Sequence, residues 1–90
     1  MSTEPGTVTI TSAPWVSGMR ADSTFTQVQA VERGKDKVLA VITDKARALG
    51  ANYVVNFEAT IDTTDMEIWS AVGSAVLMKP LEWFYRTERG

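Results

Sequence analysis

Lys45-Ala46-Arg47-Ala48-Leu49-Gly50-Ala51-Asn52-Tyr53-Val54-Val55 is the stretch in which one periodicity stops and another begins. Upstream of it, Val38, Leu39, Ile42, Ala46 and Leu49 recur at steps of three and four, which places them on one face of a helix. Lys37, Asp44, Lys45 and Arg47 take the other face. Gly50 follows the last periodic residue, where a left-handed cap costs glycine nothing, so the helix is expected to stop there. From Tyr53 the period falls to two. Tyr53, Val55, Phe57, Ala59 and Ile61 alternate with Val54, Asn56, Glu58 and Thr60, the pattern of a half-buried strand.

Working outward, Thr7 to Ser12 alternate β-branched residues and read as a first strand, ended by Pro14 with Trp15 and Val16 just beyond it. Thr24 and Gln27 have the spacing of a capping box, and Val28 and Val31 extend the apolar stripe back from Val38. The spacing therefore predicts one helix from Gln27 to Leu49, bent or broken where Gly34 interrupts it. A second strand runs from Asn52 to Ile61. Asp62-Thr63-Thr64-Asp65 follows as a turn, and a third strand from Met66 to Met78 completes an antiparallel hairpin. Residues 1–6 read as an N-terminal arm, 7–79 as the domain and 80–90 as an aromatic C-terminal tail, with Pro80 closing the last strand.

The third strand is apolar on both faces. Trp69, Ala71, Gly73, Ala75 and Leu77 lie on one, and Met66, Ile68, Val72, Val76 and Met78 on the other. A single helix covers one face of a three-stranded sheet, so the Trp69 row is assigned to an interface with another subunit, with the Trp83-Phe84-Tyr85 tail as its competing cover. A chain of 90 residues that is 44% apolar has enough for one thin core, and association would add buried area.

Composition narrows the chemistry. With neither cysteine nor histidine, thiolate nucleophiles, disulfides and the commonest metal ligands and general bases are missing. A net charge of −2 with no basic cluster argues against nucleic acid, and no window approaches the roughly 18 apolar residues of a membrane-spanning helix. The reading is a soluble, cytoplasmic protein with no cofactor. Asp62 and Asp65 offer oxygen ligands to a hard cation, but a plain turn accounts for them. Glu58 and Glu67 face each other across the expected hairpin, the one pairing on which acid–base catalysis by carboxylates would rest. Trp15 and Trp69, with Trp83, are the aromatic surfaces on which a flat ligand would stack, with ordinary burial as the simpler explanation.

The order strand, helix, strand, strand, with Ala46-Arg47-Ala48-Leu49-Gly50-Ala51-Asn52-Tyr53-Val54-Val55 at the junction and Val72-Gly73-Ser74-Ala75-Val76 in the last strand, resembles the YbjQ-like family of small bacterial domains, often labelled heavy-metal-binding. The resemblance implies an α+β fold. Its subunit is β-α-β-β, a three-stranded antiparallel sheet of order 1-3-2 packed on one helix, and the subunits form a ring-shaped homo-oligomer, commonly a pentamer. The metal label finds no support in a chain without Cys or His. The expected function is a non-catalytic, self-associating binding or scaffolding domain, its small ligand or protein partner unspecified. The alternatives are a carrier of flavin-type molecules stacked at subunit interfaces, as in the dodecins, and an enzyme using interface carboxylates.

Overall fold

The computed structural model of the protein describes residues 7–82. The N-terminal arm and the Trp83-Phe84-Tyr85 segment lie outside the described residues. The elements are β1 (Thr9–Ile10), β2 (Met19–Arg33), α1 (Lys35–Leu49), β3 (Tyr53–Ile61) and β4 (Ile68–Pro80). The sheet has four strands in the order β1-β3-β4-β2, and it is mixed: β1 runs parallel to β3, while β3–β4 and β4–β2 are antiparallel. One helix packs on one side of it. The expected three-stranded antiparallel sheet is thus corrected to a four-stranded mixed one, and the order 1-3-2 holds only when β2 is counted as the first strand.

The main departure from the sequence reading is β2. The segment from Gln27 to Arg33, assigned above to the start of the helix, is the second half of a 15-residue strand. Val28 is buried and Val31 is 63% exposed, so the three-residue step that looked helical joins residues on opposite faces of a sheet. Two register shifts against β4, between Ala21 and Ser23 and between Thr24 and Gln27, break the strand's alternation into short pieces. No long period-two run survives to be seen. Gly34, with φ 107° and ψ 136°, is the strand-to-helix turn and not a kink within a helix. The first helical bond runs from the Val38 N–H to the Gly34 carbonyl.

The helix ends where its pattern ends. Gly50 takes φ 92° and ψ 10°, its N–H reaches the Arg47 carbonyl and the Ala51 N–H reaches that of Ala46, the paired bonds of a Schellman cap. Val38, Ile42 and Ala46 are fully buried against the sheet. At about 1.5–3 kcal/mol for each buried Val or Ile, this stripe is what holds the helix down.

The helix covers Val28 and Ala30 of β2, Ala71 and Ala75 of β4, and Val54 of β3, with Trp69, Phe57 and Ala59 packed around them. The row Trp69, Ala71, Gly73 and Ala75, assigned above to a subunit interface, is therefore covered by the chain's own helix; Leu77 shares that side by alternation and is half-buried. The side away from the helix carries Ser70, Val72, Ser74, Val76 and Met78. In β3 a bulge at Asn56, φ 55°, puts Val54 and Phe57 on the helix side and sends Tyr53 and Val55 to the other. A single alternation from Tyr53 to Ile61 does not exist, because one extra residue flips every side chain beyond it.

Gly73 stands opposite that bulge. A Cβ there would overlap Val54 Cγ1 and come within 3.5 Å of the Phe57 Cα. Gly73→Ala is expected to lower the unfolding free energy by about 1–3 kcal/mol, the range for overpacking a full site. Urea unfolding followed by circular dichroism measures it, and an unchanged midpoint would show that β3 moves aside freely.

Candidate functional site

The open side of the sheet is divided in two. At one end Val55, Val76 and Met78 form a small second core under Val16, from the segment joining β1 to β2, and Met19, the first residue of β2. That segment is anchored by its backbone: the Asn56 N–H bonds to the Ala13 carbonyl at 2.9 Å and the Phe57 N–H to the Thr11 carbonyl at 3.0 Å. The β3 bulge thus supplies the donors that hold the cover in place. Beside the cover lies a hollow of about 400 Å³ bordered by Pro14, Trp15, Thr24, Ser74 and Val76. Trp15 stands at its rim, 65% exposed.

At the other end no described residue covers the sheet. Gln29 and Val31 of β2, Ser70 and Val72 of β4, and Glu58 and Thr60 of β3 surround a shallow hollow of about 590 Å³, with Lys45 at its β2 margin. Lys45 lies on the helix and reaches over the outer edge of β2, where its Nζ donates to the Gln29 carbonyl at 2.7 Å. That carbonyl points away from β4.

Trp15 and Trp69, weighed as stacking surfaces, are on opposite sides of the sheet. Trp69 lies on the helix side beneath Lys35, whose Nζ is 5.5 Å from the ring centroid, a cation–π contact. Glu58 and Glu67 are not brought together either. Glu58 faces the open hollow opposite Val72, while Glu67 accepts from Arg33 at 2.8 Å in the β3–β4 turn. Gly50 ends the helix, and Pro80 is the last residue of β4, paired with Met19 of β2.

Asp62 and Asp65 build the turn itself. Asp62 Oδ1 accepts from the Thr64 N–H and the Thr64 hydroxyl, both at 2.7 Å, and Asp65 Oδ1 accepts from the Glu67 N–H at 3.0 Å. Among the described residues no group of three Asp, Glu, His or Cys is placed to hold a metal ion. Arg33 closes the turn onto β2 through Glu67 and Asp65, the latter at 3.4 Å, and the Glu67 carbonyl accepts the Gly34 N–H. These partners stand 32 and 34 residues from Arg33, so no local pattern announces them.

Asn52 is the other residue that pattern reading passed over. Its amide donates to the Met78 carbonyl at 2.9 Å and its side-chain oxygen accepts the Met78 N–H at 2.8 Å, so the side chain acts as one more residue of the ladder. No protein-family model matches the chain, and no curated protein is detectably similar to it. No helix among the described residues is long and apolar enough to cross a membrane.

The Thr64 hydroxyl, then the Thr64 and Asp65 amides, hold the Asp62 carboxyl below its ordinary value of 3.8. Because the folded value is depressed, the stabilisation is complete above the unfolded value and is lost as pH falls through the folded one. An NMR titration read at the Thr64 amide is expected to show a midpoint below 3.8, and Asp62→Asn to abolish the transition. A midpoint at the ordinary value would mean that the turn does not hold its bonds in solution.

Proposed function

We propose that the chain is a cytoplasmic, non-catalytic subunit of the YbjQ-like type that associates with copies of itself and serves as a binding or scaffolding module. The observation that carries this reading is the half of the sheet that no described residue covers, where Val31 is 63% exposed beside Val72. The neighbour order β2-β4-β3, with α1 between β2 and β3 in the chain, agrees with the 1-3-2 arrangement that the resemblance implies. Within one subunit Glu58 lies at the open hollow and Glu67 is engaged by Arg33, so this pair lends no support to the alternative of an enzyme using interface carboxylates. Native mass spectrometry is expected to give more than one copy per particle. A monomer at all concentrations up to about 100 μM, far above the micromolar affinity of a modest interface, would overturn the reading.

A second reading, small-molecule binding, rests on Trp15. An indole left 65% exposed at the rim of a hollow with an apolar wall is placed to stack on a flat ring. Since Trp69 lies on the other side of the sheet, Trp15 is the one of the two that would supply the stacking surface. Titration with flavin mononucleotide is then expected to quench tryptophan emission, with the quench lost in Trp15→Ala. No quenching at micromolar flavin would remove this reading and leave the first untouched.

A further inference from the structure

We propose that the smaller hollow, beside Trp15, binds an anionic aromatic molecule, a flat fused ring carrying an oxyanion, with the ring on the Trp15 indole and the oxyanion on the Arg20 guanidinium. The proposal rests on the second reading above, stacking at Trp15, and adds the charge of the ligand and the residue that meets it. The hollow lies over β4, between walls that the topology sets apart. Pro14 and Trp15 follow Ala13, whose carbonyl is held on the β3 side by the Asn56 N–H. Arg20 and Thr24 belong to β2, on the opposite flank of β4, and Ser74 and Val76 of β4 form the floor. Thr24 pairs with Val76, so both side chains stand on the side of the sheet away from the helix.

Trp15 is the only aromatic side chain exposed among the described residues, and the backbone that carries it is fixed. Pro14 sets φ just ahead of it. Ala13 is bonded on both sides, its N–H to the Thr11 hydroxyl at 3.1 Å and its carbonyl to the Asn56 N–H at 2.9 Å. An indole on a stiff segment offers a stacking surface at little cost in ordering. The volume of about 400 Å³ lies within the range of small-molecule sites and has room for a fused ring and a short arm.

The charge of the ligand follows from the lining. Among the described residues that border the hollow, Arg20 is the only charged one. Asp22, the nearest acid along β2, is paired with Lys79 at 3.9 Å, and Lys79 stands opposite Arg20 in the ladder. An oxyanion in the hollow therefore meets a planar fork of donors, with no carboxylate among the described lining residues to repel it. Arg20 already has an interaction within the chain, and the several donors of a guanidinium suffice to keep it while receiving an oxyanion. The Thr24 and Ser74 hydroxyls can donate or accept at the ring edge, which favours a ring bearing nitrogen or carbonyl oxygen over a bare hydrocarbon. The larger hollow is of another kind. Its described lining holds Glu58 and Lys45, of opposite charge, and no aromatic side chain.

The test compares flavin mononucleotide with riboflavin, which has the same ring and no phosphate, by quenching of tryptophan emission at low salt. The wild type is expected to bind the phosphorylated ring about tenfold more tightly, the size of one charge-assisted contact. Arg20→Gln, its fold checked by circular dichroism, is expected to bring the mononucleotide to the affinity of riboflavin and to leave riboflavin unchanged. Should that variant lose its fold, Arg20→Lys serves instead and is expected to reduce the preference about threefold, since an ammonium lacks the fork. Equal affinities in the wild type would overturn the anionic class while leaving stacking at Trp15 standing. A preference unchanged in the folded variant would overturn the assignment to Arg20, and quenching that persists in Trp15→Ala would overturn the site. If neither ring quenches, the stacking reading and this proposal fall together.

Discussion

The close approach of β3 to β4 at Gly73 is the constraint on which the rest of this structure depends. β4 is flanked by β3 on one side and β2 on the other; across the paired stretches β3 carries one more residue than β4, and β2 carries an extra residue at each of its two register shifts. An extra residue has to bulge, and a bulge bends and twists the pair. On the β3 side Asn56 takes the left-handed conformation that absorbs it, which presses Val54 and the Phe57 backbone toward β4. Only a residue without a side chain fits opposite. Because the bulge is there, Val54 and Phe57 both serve the helix-side core, and the Asn56 and Phe57 amides are free to hold the segment after β1.

From this follows the asymmetry of the two sides of the sheet. The helix side is closed by three fully buried residues four apart, Val38, Ile42 and Ala46, over the small residues Ala71 and Ala75. Small side chains on the central strand let the helix lie close, at the dense packing that makes every methyl felt. The other side is closed only where the β3 bulge provides anchors, through Val16 and Met19 over Val76 and Met78. Beyond the reach of that segment it is lined by Ser, Thr, Gln and Glu with two valines, a face that water accepts except at its β2 margin.

The turn between β3 and β4 is tied to the end of β2 through Arg33 and to Gly34, ahead of α1, through the Glu67 carbonyl, so the end of β2 that faces the turn is held in position. This matters for the edge. A strand whose inner side is fully laddered, whose end is pinned and whose outer carbonyl is met by a lysine presents a defined row and not a fraying one.

Much of this was legible in the residues alone, and the division has a physical cause. The helix from Asp36 to Leu49, its stop at Gly50, the strand after it and the Asp62 turn rest on interactions between residues at most a few positions apart, which is why spacing and residue type revealed them. The side of β4 that the helix covers, the strand character of residues 19–33, the fourth strand and its parallel pairing were decided by contacts across the sheet. Val28 and Val31 could sit on a helix or straddle a sheet; only β4, forty residues away in the chain, chooses between them. The side-chain bonds of Asn52 to Met78, Arg33 to Glu67 and Lys45 to Gln29 are of the same kind. Local chemistry therefore settled where elements begin and end, and long-range pairing, with a bulge shifting the parity of each strand, settled which side of each element meets the core.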